Sequence, residues 1–196
     1  MLSISARPNR SGGFTLIELL VTITLLGILL AVGLPALSGW VRNAQVRTVA
    51  DALQTGARLA QAEALRLNQQ VVFSLTNEQP GLNAAAVADG NNWSMQTVAQ
   101  FGKSAVFIRG GALADVASGV SISGPVAICL NSNGRLATNA APGVPGAACN
   151  AANATFNVSQ TNADRSLRVL VTLAGQVRMC DPLRPTQSST APDGCP

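Results

Sequence analysis

The feature that most limits what this chain can fold into is an apolar run over residues 14–34 that contains a single charged residue, Glu18. A helix needs about 20 apolar residues to cross the hydrocarbon core of a bilayer, so this run is long enough to span one. A charged side chain at the centre of such a span costs about 2.5–3.5 kcal/mol. We therefore expect Glu18 to have a specific role within this helix.

The residues that flank the apolar run indicate its orientation. Arg7 and Arg10 precede it in a leader without acidic residues, which favours an N-terminus that stays in the cytoplasm. The bias is weak, because Arg42 and Arg47 follow the run on its other side. Trp40 lies just beyond the run, where its ring suits a membrane interface. The sequence thus predicts one span with an extracytoplasmic C-terminal part.

A secretory signal peptide, cut after Ala36, is the alternative interpretation of this segment. The apolar run is longer than the usual apolar region of such a peptide. Leu34 and Pro35 make a poor cleavage site, and Glu18 has no role in a signal peptide. The residues therefore favour a retained helix.

The segment from Gly13 to Leu20, Gly-Phe-Thr-Leu-Ile-Glu-Leu-Leu, resembles the class III signal of type IV pilins and type II secretion pseudopilins. The resemblance implies that prepilin peptidase removes residues 1–13 as a leader, by cleavage between Gly13 and Phe14, and that Phe14 becomes the N-methylated terminus. It also implies assembly with other pilins. Opposite charges attract strongly in a low dielectric, so Glu18 is expected to meet the Phe14 amine of a neighbouring subunit.

Gly27 and Pro35 are expected weak points of the same helix. Glycine lowers helix propensity by about 1 kcal/mol, and an interior proline removes a backbone hydrogen bond. Pilin helices loosen between corresponding positions on packing into a filament, so the resemblance assigns these two residues to assembly. Two ordinary residues of a membrane helix are the alternative.

Composition limits the function of the remainder of the chain. The 196 residues suffice for one span and one modest globular head, and removal of the leader lowers the formal charge from +4 to +2. The chain has no histidine, which excludes catalytic triads and zinc sites built on imidazole. We expect no catalytic residue, metal, cofactor or small-molecule substrate.

Four cysteines lie in the C-terminal third of the chain, at positions Cys129, Cys149, Cys180 and Cys195. No two of them form a Cys-x-x-Cys pair, so two disulfides in an oxidising periplasm fit better than metal ligation. Three connectivities are open on the sequence alone. Pairing of nearest neighbours, Cys129 with Cys149 and Cys180 with Cys195, is the one we favour.

A helical pattern continues beyond the apolar run and predicts one helix over residues 14–67, with a filament-core or membrane half at 14–35 and an amphipathic half at 36–68. One face of the second half carries small and apolar residues, namely Leu53, Ala57, Ala60, Ala64 and Leu67. The opposite side is polar, namely Arg47, Asp51, Gln54, Arg58 and Gln61.

Residues 69–196 are predicted to form a periplasmic, β-rich head, so that the fold class is α+β. β-Branched and alternating patterns predict strands at residues 71–76, 93–101, 105–109, 120–123, 126–130, 167–173 and 177–180. Segments rich in small residues predict a loop at 77–92 and an insertion at 138–153.

The stem residues around Ala60–Asn68, the turn Asn133-Gly134-Arg135 and the closing segment 175–178 resemble the GspH, FimT and FimU branch of minor pilins and pseudopilins. This branch implies a long N-terminal helix packed on a C-terminal antiparallel sheet. The expected function is that of a structural, non-enzymatic minor pilin of the bacterial inner membrane, incorporated into a pilus. A type II secretion pseudopilin is the alternative within the branch.

The closing hairpin raises a second alternative, DNA binding for natural transformation. A three-residue loop that pairs Thr172 with Arg178 would place Arg168 and Arg178 on one polar face. FimT proteins that bind DNA carry a Gly-Arg-x-Arg motif, and here Gln176 replaces its first arginine. The candidate DNA-binding residues are Arg168, Gln176, Arg178 and Arg184. An ordinary solvated hairpin face is the competing interpretation.

Overall fold

Helix α1 covers Leu16–Leu67, close to the predicted range of 14–67. The structure, a computed structural model, describes residues 13–100, 102–113, 115–184 and 192–196, and the side chains of residues 32 and 34–36 lie outside this description. The chain divides into two compact units, Met1–Ser38 and Gly39–Pro196. The first unit contains the N-terminal half of α1. The second contains the remainder of α1 and the head.

Asn68 follows the last residue of α1, at the predicted end of the helix. It adopts a left-handed conformation with φ of 49°, which asparagine tolerates better than most residues. The Gln69 N–H donates to the Ala64 carbonyl and the Asn68 N–H to the Leu65 carbonyl, both at 3.3 Å. These two bonds satisfy carbonyls that the helix end would leave unpaired. The chain then turns directly into the first strand.

Eight strands follow α1 among the described residues, in two antiparallel four-stranded sheets. Sheet I has the order β3-β2-β1-β5 and sheet II the order β4-β6-β7-β8. The bounds are β1 Val71–Thr76, β2 Asn92–Thr97, β3 Phe107–Gly111, β4 Val120–Ser123, β5 Ala127–Leu130, β6 Ala154–Gln160, β7 Leu167–Val171 and β8 Val177–Cys180. The predicted α+β class, with a helix packed on antiparallel strands, is confirmed.

The core of the head lies between the two sheets and the C-terminal half of α1. The buried face of the helix contributes Val46, Val49, Ala50, Leu53, Ala57, Ala60 and Ala64. Gly56 permits a close approach, because a Cβ there would lie 3.0 Å from the Phe73 ring and 3.1 Å from the Trp93 ring. Burial of a leucine such as Leu53 contributes about 1.5–3 kcal/mol. The helix is therefore part of the head's core.

Sheet I is covered on its second face as well. Ala86 of the loop after β1, and Val144 and Ala147 of the segment before β6, are buried against Val72 and Ala127 in a smaller apolar cluster. The disulfide between Cys129 and Cys149 lies in the same cluster. The segment predicted as an insertion of small residues therefore covers a sheet face. Small side chains suit this position because they let the loop backbone lie close to the strands.

Part of the polar side of α1 contacts the edge of sheet II. The Arg58 Nη2 donates to the Val177 carbonyl at 3.2 Å, and the Gln61 Nε2 donates to the Gly134 carbonyl at 3.0 Å. The Gln54 amide is assigned with its oxygen 3.1 Å from the Met179 N–H. The helical spacing identified this face correctly, and three of its polar side chains pair with backbone groups of β8 and of the Gly134 turn. Arg47 and Asp51, on the same side, form an exposed ion pair at 3.7 Å.

One strand, β6, was not predicted from the sequence. Its alternating buried residues are Ala154, Phe156 and Val158. The alternation of apolar and polar residues is present in the sequence, but it follows a long run of small residues that is typical of a loop. Strand β2 begins at Asn92 and ends at Thr97 rather than Phe101, since the Val98 N–H turns to the Gln70 carbonyl at 2.8 Å.

Candidate functional site

The N-terminal end of α1 is closed by a capping interaction. Thr15 precedes the first helical residue, and its Oγ1 accepts a hydrogen bond of 3.3 Å from the Glu18 N–H. Thr-x-x-Glu is the spacing of a capping box, which sequence reasoning overlooked here. A carboxylate in the first turn also interacts favourably with the positive end of the helix dipole. Glu18 thus has a local role in addition to the predicted intersubunit one.

The helix of the first unit is apolar on every side. Phe14 is 85% exposed, and the large apolar side chains that follow it are exposed at consecutive positions, namely Leu16, Ile17, Leu19, Leu20, Val21, Ile23, Leu25, Leu26, Ile28, Leu29 and Leu30. A helix that is apolar all round is stable where lipid or other helices surround it. Among the described residues, no helix meets the combined requirement of length and apolar character for crossing a membrane.

The glycines assigned to processing and assembly have open surroundings. A Cβ added to Gly13 or to Gly27 would meet no atom within 4 Å, so packing does not require glycine at either position. Residues 1–12 of the predicted leader, and the side chain of Pro35, lie outside the described residues. The roles predicted for these residues stay predictions.

The β7–β8 hairpin has a three-residue loop, Leu173–Gly175, but its register differs from the predicted one. Arg178 lies opposite Leu170 instead of Thr172. Thr172 bonds across the loop, where its N–H donates to the Gln176 carbonyl at 2.9 Å. Gly175 takes the left-handed position, with φ of 87°, and this places the loop one residue earlier than predicted. The shift of two residues keeps Arg168 and Arg178 on the same face.

The hairpin loop contacts the turn over residues 131–135 and the helix. The Leu136 N–H donates to the Leu173 carbonyl at 3.1 Å, which joins the segment after β5 to the β7–β8 loop. The Gly134 carbonyl lies against Gly175, in the space that a Cβ would need, and also accepts the bond from Gln61. The turn and the closing segment, which both carry the family resemblance, thus meet at α1.

The four candidate DNA-binding residues have different surroundings. Arg168 is exposed and its Nε donates to Asn157 Oδ1 at 2.8 Å, whereas Gln176 is exposed near the loop. Arg178 is half-buried on the same face. Arg184 lies apart from them in an ion pair, with its Nη1 3.2 Å from Asp193 Oδ1. Only the first three therefore share the outer face of sheet II.

Arg184 belongs to a charged cluster around Asp181, which is only 3% exposed. The Arg165 Nε donates to Asp181 Oδ2 at 3.0 Å, and the Leu183 N–H donates to Oδ1 at 2.9 Å. Burial by itself would raise the pKa of the Asp181 carboxyl, but these hydrogen bonds and the charges of Arg165 and Arg184 together hold that pKa below its usual value.

The C-terminal disulfide holds this cluster together. Cys180 bonds to Cys195, and the Asp181 N–H donates to the Asp193 carbonyl at 2.7 Å. Both disulfides have the nearest-neighbour pairing that the sequence favoured. Among the described residues, no group of three cysteine or acidic side chains is arranged to hold a metal ion.

Two family patterns match this chain. The pattern described as "Prokaryotic N-terminal methylation motif" matches residues 8–34. The pattern described as "Type II transport protein GspH" matches residues 49–175, which is well over half of the chain. The first match covers the capped start of α1, and the second covers α1 from residue 49 onward and most of both sheets.

Individual proteins are similar to parts of this chain as well. A "Fimbrial protein" of Moraxella nonliquefaciens is 48% identical over 50 residues, which are 24% of this chain and 32% of that protein. A crystal structure of the type IV minor pilin FimU of Pseudomonas aeruginosa is 18% identical, with a TM-score of 0.50, and the match covers 78% of this chain and 96% of that one.

The structure of the minor pseudopilin EpsH from the Type 2 Secretion System of Vibrio cholerae is 11% identical, with a TM-score of 0.48, over 71% of this chain and 99% of that one. The FimU likeness supports the fold. The chain spans about a third of the length of the curated fimbrial relative that it matches.

Proposed function

The chain belongs to the GspH family of type II transport proteins and carries a prokaryotic N-terminal methylation motif, and on this premise we propose that it is a minor pilin that helps to assemble or initiate a type IV pilus. Membership of this family of minor pilins and pseudopilins supports interaction with other pilins or pseudopilins. The proposed role is structural and involves no catalysis.

The observation that carries the proposal is the capped apolar helix of the first unit. Its large side chains are exposed on all sides, so it needs lipid before assembly and neighbouring helices afterwards. Its cap at Thr15 follows the proposed new terminus Phe14 by a single residue, so cleavage there leaves the helix start intact. We propose that the mature protein is anchored in the inner membrane by this helix, with its N-terminus cytoplasmic and its head periplasmic.

Substitution of Gly13 tests the proposed cleavage by prepilin peptidase. We expect the wild-type chain, made in cells with the peptidase, to begin at Phe14 and to carry one added N-terminal methyl group. Gly13→Val should stay at full length, because a side chain next to the scissile bond hinders the peptidase, whereas the open surroundings of Gly13 leave folding unaffected. Intact-mass measurement distinguishes the forms. Removal of residues 1–13 from the variant at the wild-type rate would contradict the proposal.

Two substitutions separate the charge of Glu18 from its capping role. Glu18→Gln removes the charge but keeps a residue suited to a capping box, and we expect it to be processed yet to enter pili at a tenth or less of the wild-type level, on the order of 1.4 kcal/mol. Thr15→Ala removes the cap, at about 1 kcal/mol, but keeps the charge, and we expect near-normal incorporation. Immunoblots of sheared pili give both values. The opposite ranking would show that incorporation depends on the cap at Thr15 and not on the charge of Glu18.

A pseudopilin of type II secretion would use the same N-terminal helix for assembly. The similarity to FimU therefore does not distinguish a role in a pilus from a role in type II secretion. Affinity capture of the full chain from detergent-solubilised membranes of its own cells is the direct comparison. We expect pilus subunits among the captured proteins. Capture of type II secretion components alone would replace the pilus assignment with the pseudopilin one.

DNA binding is a second candidate function, because the observed register places Arg168 and Arg178 on one face of sheet II. The net positive charge near this face is small, since Arg165 and Arg184 pair with Asp181 and Asp193. Mobility of duplex DNA with the full chain in nonionic detergent tests it at low salt. A DNA receptor should shift the duplex, and Arg178→Ala should weaken this shift and lower the salt dependence by about one counterion. We expect no such specific shift.

A further inference from the structure

The two described sheets have four edge strands. Two of these are covered, and a third is poorly suited to pair with another strand. The outer side of β5 is occupied by the segment after it, where the Ala137 N–H donates to the Cys129 carbonyl at 2.9 Å. The outer side of β8 receives Arg58 of the stem helix. Strand β4 has only four residues and exposes two serines, which makes it a poor template for pairing.

Strand β3 is the remaining edge. It pairs with β2 on one side, and no described strand pairs with its other side. Its N-terminal end exposes apolar surface, since Val106 is 59% and Phe107 37% exposed. A groove of about 750 Å³ lies beside these residues, bounded on its far side by Glu63, Arg66 and Leu67 at the end of α1. An open edge next to an apolar groove provides both backbone groups and a side-chain pocket.

The charges around β3 select the kind of strand that can pair with it. Lys103 lines the groove and Arg109 is exposed on β3 itself, and neither has an ion-pair partner among the described residues. Arg66 also lines the groove, but it is paired with Glu63 at 2.7 Å. A second copy of β3 would bring Arg109 close to its own counterpart, and like charges across strands are destabilising. The edge is therefore suited to an acidic strand and resists self-pairing.

We propose that the β3 edge is a docking site for an extended, acidic segment of another protein, which adds to sheet I as a fifth strand. Backbone hydrogen bonds along β3 hold the segment, and its carboxylates face Lys103 and Arg109. An apolar side chain of the segment enters the groove beside Val106 and Phe107. This docking site lies in the head and does not depend on the assembly role of the N-terminal helix.

Amide hydrogen exchange of the full chain in nonionic detergent micelles tests this proposal. The probe is a blocked peptide as long as β3 in which valine and glutamate alternate, and its twin carries lysine in place of glutamate. We expect the glutamate peptide to slow exchange at residues 107–111 and to bind about tenfold more tightly than the lysine twin, since reversal of two charge pairs changes the sign of each contribution.

Charge reversal on the protein supplies the matched comparison. Arg109→Glu should weaken binding of the glutamate peptide about threefold to tenfold and strengthen that of the lysine peptide. Arg135→Glu, an equal change on an exposed turn that does not line the groove, should leave both affinities unchanged. Unchanged exchange in β3, equal affinity for the two peptides, or a dimer of the chain that protects β3 without peptide would each overturn the proposal.

Discussion

Asp181 shows how far a residue's environment can differ from what its place in the sequence indicates. The sequence placed Arg184 among the candidate DNA-binding residues. In the structure both Arg165 and Arg184 approach this one buried carboxylate. The disulfide between Cys180 and Cys195 brings Asp193 to the same cluster, and such a contact between chain segments has no local signal.

The lowered pKa of Asp181 predicts a pH dependence of stability. A carboxyl whose folded-state pKa is depressed stabilises the fold above its unfolded pKa of about 3.9, and this contribution is lost as the pH falls through the folded-state value. We expect the wild type to lose stability below about pH 4. Asp181→Asn should be less stable than the wild type at neutral pH by about 1–3 kcal/mol, and its stability should fall less as the pH is lowered.

Thermal unfolding followed by circular dichroism at neutral and acid pH measures this difference. Asp115→Asn provides the control, because Asp115 is exposed and takes part in no ion pair among the described residues. Its melting curves should follow the wild type at every pH. An Asp181→Asn variant as stable as the wild type at neutral pH would contradict the assigned role of the cluster.

At the scale of single elements, the sequence predicted what depends on local pattern. Strands β1, β4 and β8 have the predicted bounds, because each is a short alternating or β-branched run with turn residues nearby. The hairpin register was wrong, because it depends on which loop residue takes a positive φ. Gly175 takes it, and the Gly134 carbonyl beside Gly175, contributed by a distant turn, completes this arrangement.

Gly175→Ala should destabilise the head by about 2–4 kcal/mol, because a left-handed conformation costs a non-glycine residue about 1–2 kcal/mol and the Gly134 carbonyl occupies the space of the new Cβ. Gly143→Ala is the matched control. Gly143 has a similar φ of 82°, but nothing lies within 4 Å of its would-be Cβ, so only the conformational cost applies. Chemical denaturation of both variants measures the difference, and equal losses would show that the contact with Gly134 adds nothing.

For the whole molecule, the N-terminal motif was predictable and the open edge was not. Glycine, phenylalanine and glutamate at fixed spacing in an apolar run identify the N-terminal methylation motif directly, because every part of that signal is local. The division of the strands into two sheets depends on pairing between segments far apart in sequence, such as β1 with β5. Only that topology shows that β3 has no second neighbour among the described strands.

The division at Ser38 predicts which parts of the chain can be exchanged. Replacement of residues 1–38 by the matching segment of another pilin should leave the melting temperature of the head unchanged, since the helix residues buried in its core begin at Val46. Replacement of residues 1–67 should lower it by more than about 5 °C, because the core then loses its fitted helix face. Calorimetry of the two full-length chimeras in detergent compares them, and equal melting temperatures would refute this boundary.

The stem helix also determines when the head can finish folding. Arg58 bonds a carbonyl of β8 that lies 119 residues later, and Asn43 bonds Asp164 across 121 residues. Contacts between residues so far apart in sequence form slowly, because the chain loses conformational entropy on closing the loop before the contact stabilises it. During synthesis and export the helix emerges first, and its partner strand is nearly the last to appear. The apolar face of the helix is therefore exposed for most of that interval, and this is the period in which the chain is most prone to aggregate.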